Sequence, residues 1–252
     1  MTKLRICTAL FTGLALLGLT AHAQDALRVN GANAMWAPLN KNLTALEAAT
    51  GTKVAFVPNT AGRGLADLAE GKCDIAMVTS SVAGAAEAAN QEKPGAVADV
   101  AAFKSEEIGT ETIVFVVNKA NSVAKLTQGQ VKDLLTGKIT NWKDVGGGDL
   151  PVVLVRVSAT AGPHMAIEKD ILQGAKIPDT AKAMKGPKDV PNVVAQVPGS
   201  IGYLGSNNAN DSVKIIATDY TIKMSMMLVT KGEPTATQRK FIDAAKAVMA
   251  AK

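Results

Sequence analysis

Aromatic residues make up only 4% of this 252-residue chain, and there are just two cysteines and two histidines. With so few aromatic rings, the core is expected to be built from Ala, Val, Leu and Ile. His22 and His164 cannot assemble a multi-histidine metal site, and no Cys/His spacing of the zinc type occurs. No phosphate loop of the GxxxxGK[ST] kind and no GxSxG elbow is present. No run of five like charges occurs, so nothing argues for a nucleic-acid partner. These absences leave little room for catalysis, and neither an enzyme nor a cofactor is expected. Ser-His-Asp hydrolysis through His164 is the catalytic alternative, without an elbow to support it.

The chain begins with Lys3 and Arg5, an apolar run from Ile6 to Leu19, and the small residues of Ala21-His22-Ala23. This is the pattern of a cleavable signal peptide over residues 1–23. The run is shorter than the roughly 20 apolar residues that span a bilayer. Cys7 lies inside it rather than at its end, which argues against a lipoprotein. Cleavage after Ala23 would leave 229 residues, lower the net charge from +5 to +3, and leave Cys73 as the single cysteine. The mature protein is therefore expected in the periplasm, held together by its core without a disulfide. A lone thiol there is expected to be buried rather than reactive.

From Leu27 onward, short apolar runs alternate with helical stretches, the signature of an α/β fold with largely parallel strands. Strands are expected at 27–30, 53–57, 74–78, 112–118, 151–157, 213–217 and 223–230. Helices are expected at 38–50, 65–70, 127–135, 164–172 and 235–252, and residues 82–97 read as a helix or a surface excursion. Thr112–Asn118 (TIVFVVN) is the strongest strand signal and separates an Ala-rich half from a segment with its own turns and Trp142. Two lobes follow from this, the first discontinuous and completed by the C-terminal strands and helix.

Three places share one design of strand, tight turn and helix: 31–38, 60–65 and 156–164. The first turn of a helix offers unpaired N–H groups and about half a positive charge, which suits an anion. Arg156 adds a guanidinium able to make paired charged hydrogen bonds to an oxyanion. Met224, Met226 and Met227 read as core, with soft-metal binding the lesser alternative.

The order of these motifs resembles the periplasmic phosphate-binding proteins of the PstS type, the substrate-binding components of ABC importers. The matching segments are LRVNGANAMWAPL (27–39), TAGRGLADLAEGKCDIAM (60–77), IGTETIVFVVN (108–118), LTQGQVKDLLTGKITNWKDVGG (126–147), PVVLVRVSATAGPHM (151–165) and VPGSIGYLG (197–205). GKITNWKDVGG and GSIGYLG are the most specific.

The resemblance implies a type II periplasmic-binding fold. Each lobe would be a mostly parallel sheet flanked by helices, and a two-strand hinge would join them. Lobe one would be 24–113 with 203–252, and lobe two 114–202. It also implies ligand contacts at Asn33, Ala34 and Met35, at Ala61 and Gly62, at Thr79 and Ser80, and at Arg156, Thr160, Ala161 and Gly162, with His164 beside them. Its ligand would be a small anion, phosphate by default, and its partner an ABC transporter permease served by a monomer. Two departures stand out. Ala61 replaces the serine of the family's glycine-serine turn. Thr79 stands where the family places a carboxylate that accepts the ligand's proton. A sulfate-like or molybdate-like ion, or a small organic acid, is the alternative cargo, with a sensor or scavenger as the alternative role.

Overall fold

A computed structural model describes residues 26–251. The expected signal peptide, with Lys3, Arg5 and Cys7, lies outside the described residues. Among those described, no helix is long and apolar enough to cross a membrane.

The first lobe is assembled around β1 (Leu27–Ala32), which pairs in parallel with β2 (Val54–Asn59) and β3 (Ile75–Val78). Between them run α1 (Asn33–Lys41), α2 (Leu43–Thr50) and α3 (Ala61–Ala69). The helix expected from Pro38 thus begins five residues earlier and breaks at Asn42, whose side-chain amide donates to the Pro38 carbonyl at 2.9 Å. Residues expected as helix or excursion form α4 (Val82–Glu92), N-capped by Ser81. The helix α3 lies flush on β1 because two glycines meet. A Cβ on Gly64 would stand 2.5 Å from the Gly31 Cα.

The strand expected at 112–118 is the second half of β4 (Phe103–Val117), fifteen residues long. Its first half, FKSEEIGTE, is too polar to read as a strand. It is held there by antiparallel pairing with β10 (Ile222–Lys231), which also pairs with β3. Beyond Ile113, β4 changes partners to β8 (Ser200–Gly205) and β9 (Lys214–Thr218). In parallel with β8 run β6 (Val153–Val157) and then β7 (Lys182–Met184), while the short β5 (Lys125–Leu126) pairs with β9. One continuous ladder therefore runs β2-β1-β3-β10-β4-β8-β6-β7.

Two separate apolar cores divide that ladder. Val29, Leu65, Ile75, Ile108, Met226, Leu228 and Phe241 belong to the first. Ile113, Phe115, Trp142, Val155, Ile201, Tyr203, Ile216 and Met224 belong to the second. The cores change between Ile108 and Ile113 on β4 and between Met224 and Met226 on β10. These two paired strands are the connection between lobes. The expected return to the first lobe at residue 203 is therefore too early. β8 and β9 pack into the second core, and the chain crosses back only near residue 225. The three methionines follow suit, with Met224 and Met226 buried in opposite cores and Met227 packed at the edge of the first.

The two specific sequence blocks have physical roles in the second lobe. Trp142, buried, donates from Nε1 to the Gly199 carbonyl at 2.7 Å and so ties one block to the other. Gly205 leaves room for Glu111, a buried carboxylate on β4. A Cβ there would be 2.4 Å from Glu111 Oε1, which accepts from the Asn207 amide at 2.9 Å. The helix α5 (Gln128–Leu135) starts with a capping box of Thr127 and Gln130. A second box, of Thr235 and Gln238, starts the closing helix α8 (Ala236–Ala250). The helix α6 (Gly162–Ile167) runs on as a π turn to Leu172, and α7 (Val190–Gln196) follows β7.

Gly64→Ala should lower stability despite alanine's better helix propensity. Overpacking against backbone costs about 1–3 kcal/mol, while propensity returns about 1. Gly129→Ala in α5, where nothing lies within 4 Å, should be neutral or stabilising. Denaturation midpoints of the two variants against the parent decide this, and equal shifts would refute the flush packing of α3. Burial pushes the Cys73 thiol up to about 12. It should resist alkylation at pH 8 in the native protein and react once the protein is unfolded; rapid native labelling would contradict its burial.

Candidate functional site

A cleft of about 410 Å3 opens where the two lobes meet. From the first lobe it is lined by Ala32–Ala34 at the start of α1, by Pro58–Ala61 at the start of α3, and by Thr79 after β3. From the second it is lined by Ser158 and Thr160–Pro163 at the start of α6, and by Lys185–Asp189 ahead of α7. The lobes touch around it. A Cβ on Gly162 would stand 2.3 Å from the Thr79 hydroxyl, and Gly84 at the start of α4 lies against the Met165 side chain. Lys188 places its ammonium 5.7 Å from the centre of the Trp36 ring on α1, a cation–π contact between lobes.

Two of the helices that open onto the cleft start without a side-chain cap. The N-cap residues of α1 and α6 are Ala32 and Ala161, and neither start has a side-chain cap. Thr60 caps α3 but accepts only from Arg63, leaving the Ala61 and Gly62 amides uncapped by it. Away from the cleft, α5 and α8 carry full capping boxes. Alanine is among the poorest N-caps, costing about 1 kcal/mol against Ser or Asp. First-turn amides of α1 and α6 are therefore left without a side-chain cap, the arrangement that suits an anion. Two other starts lack a side-chain cap: α2, which follows α1 after Asn42, and α7, whose approach itself lines the cleft.

The side chain of Asn59 is positioned from behind. Asp67, only 5% exposed, accepts from Arg63 Nε at 3.1 Å, from Asn30 Nδ2 at 3.0 Å and from Asn59 Nδ2 at 3.4 Å. This carboxylate thus fixes the wall below α3 without facing the cleft. Thr79, 3% exposed, presents a hydroxyl where a carboxylate would repel any fully ionised anion.

Of the residues expected at the site, Asn33, Ala34, Ala61, Thr79, Thr160, Ala161 and Gly162 do line one cleft. Five do not line it. Met35 turns its side chain into the first core, and Gly62 is wedged against Ala88 and Ala89 of α4. The Ser80 hydroxyl donates to the Ser81 carbonyl at 3.1 Å.

His164 lines a neighbouring groove of about 370 Å3 between α4 and α6, which Thr160 shares. Its Nδ1 is 2.7 Å from the Tyr203 hydroxyl. Burial lowers the His164 pKa, opposed by Glu168 and assisted by the Arg156 charge. Burial likewise raises that of Tyr203, so the phenol keeps its proton, and the imidazole tautomer sets which of the two groups donates. Arg156 is half-buried on β6, and its charge acts on both groups. Among the described residues it has no carboxylate in ion-pair reach. Lys185, Lys188 and Asp189 were not expected at the site. Their only trace in the sequence is the Gly-Pro turn of KGPKD, which marks a loop and no ligand.

A model of the PBP superfamily domain matches residues 19–246. The chain is 28% identical to the phosphate-binding protein PstS of Bacillus subtilis over 196 residues, 72% of this chain and 62% of the relative's length. The relative is thus spanned over less than two thirds of its length. Among solved structures, a putative phosphate ABC transporter substrate-binding protein with bound phosphate from Clostridium perfringens superposes with a TM-score of 0.73. It shares 23% identity and covers 87% of this chain and 92% of its own. An ABC-type phosphate transport receptor from Vibrio cholerae superposes at 0.67, with 20% identity over 89% and 97% of the two chains. Those two likenesses support the two-lobed binding-protein fold. Matched over nearly all of its described residues, the chain belongs to the PBP superfamily.

Proposed function

We propose that this chain is a solute-binding protein of the periplasm. It captures a small oxyanion, phosphate by default, in the interlobe cleft and delivers it unchanged to the permease of an ABC importer. The observation that carries this reading is the convergence of uncapped helix starts from both lobes on one cleft. An anion seated there accepts hydrogen bonds from Ala34 and Ala61 in one lobe and Gly162 in the other. It thereby gains free energy only while the lobes are together, which is how binding drives closure. The similarity to PstS proteins supports phosphate as the default cargo.

Arg156 supplies long-range charge. A half-buried guanidinium without a carboxylate partner among the described residues is a cation lacking its counter-ion. The Thr79 hydroxyl can donate to a ligand oxygen but offers no charged acceptor to a protonated one, so discrimination between phosphate and sulfate should be weak.

Calorimetric titration of the mature protein with phosphate tests the reading, and no binding by phosphate, sulfate or any phosphonate would reject it. Arg156→Ala should weaken phosphate binding by about 1–2 kcal/mol, the order expected of a charge acting from behind the wall at roughly 8–10 Å through partly solvated protein. Unchanged affinity would assign that arginine to the His164–Tyr203 cluster alone. Thr79→Asp should raise the ratio of phosphate to sulfate affinity by restoring a proton acceptor, and an unmoved ratio would show that position 79 does not touch the ligand.

A further inference from the structure

The cleft is larger than an inorganic oxyanion requires. Taking roughly 30 Å3 per ligand oxygen, water's share of its liquid, a tetrahedral oxyanion fills on the order of 100 Å3. The cleft holds about 410 Å3, within the range of pockets for organic ligands. The lobes are in contact beside this space. Gly162 already abuts Thr79, Met165 abuts Gly84, and Lys188 sits over Trp36.

The surplus space also has a chemistry of its own. Opposite the first-lobe helix starts, the wall is Lys185, Gly186, Pro187, Lys188 and Asp189. Among the described residues neither lysine has a carboxylate within ion-pair distance, Asp189 included. Two cations against one anion leave this wall positive. The Gly-Pro turn carries no apolar side chain large enough to fill the space from the protein's side.

We infer that the ligand of this cleft is a small organic phosphate or phosphonate, whose second, anionic group reaches Lys185 and Lys188. The inference rests on the oxyanion-receptor reading above and deepens it. The phosphoryl head takes the helix starts and the Thr79 hydroxyl, and the carbon link spans the surplus volume. The second anion pairs with the lysines. Asp189 on the same wall disfavours a doubly charged tail and accepts from a hydroxyl on the link. Trp36 holds the Lys188 ammonium at the junction of the lobes.

Calorimetry of the mature protein with inorganic phosphate, methylphosphonate, phosphonoacetate and 2-aminoethylphosphonate tests this. Phosphonoacetate should bind at least about tenfold tighter than methylphosphonate, since one charged hydrogen bond is worth that factor or more. The double variant Lys185→Ala/Lys188→Ala should reduce that preference ratio at least about fivefold. Both lysines are exposed on a loop, so the variant is expected to fold, and an unchanged melting midpoint checks it. Binding of phosphate as tight as that of phosphonoacetate would overturn the inference and leave the oxyanion reading standing. So would preference for 2-aminoethylphosphonate, or a double variant that weakens all four ligands alike. Failure of all four ligands, phosphate included, would remove both.

Discussion

The antiparallel pairing of β4 with β10 is the constraint on which the rest of the molecule depends. Both of its strands place buried side chains in each of the two apolar cores, Ile108 and Ile113 on one and Met226 and Met224 on the other. Because the strands are paired, neither lobe can turn without the other strand bending too. The register slips between Met226 and Met227, at the edge of the first core. A bulge there locally increases twist and loosens the ladder.

That arrangement turns a general property of helices into a binding device. Every helix leaves first-turn amides without partners, and among the described residues α3, α4, α5 and α8 meet the need with a threonine or serine of their own. Those that border the cleft do so incompletely, with alanine at two of the caps. The sacrifice is roughly 1 kcal/mol for each missing cap, small beside what an anion shared between several amides returns. Under the proposed function, selectivity would fall to neutral groups such as Thr79 and to charges one layer further out.

Much of the fold was legible because it rests on local pattern. Thr127 and Thr235 stand at the starts of helices they cap, and residues 74–78 and 151–157 read as strands by their apolar runs. The failures share a physical cause, since they concern elements stabilised by partners far away in sequence. FKSEEIGTE is a strand only because β10 covers it, and Lys182–Met184 only because β6 does. The lobe boundary near residue 225 is a choice of core, and nothing local distinguishes Met224 from Met226.

For the site, the three strand-turn-helix junctions were visible as sequence, and they do meet in one cleft. Arg156 and His164 were visible too, yet they cluster with Tyr203 beside the cleft rather than on its wall. Lys185, Lys188 and Asp189 were invisible, because a lysine-bearing turn carries no signature of what it faces.

The chain contains two tryptophans, and they occupy opposite situations. Trp142 is sealed inside the second lobe with its indole N–H fixed on Gly199. Trp36 is partly buried at the lobe junction, with the Lys188 ammonium over its ring. One indole therefore keeps the same surroundings whether the lobes stand together or apart, while the other loses a cation and gains solvent. The molecule carries its own optical gauge of closure, a fluorophore at the joint beside an internal standard, with no label attached.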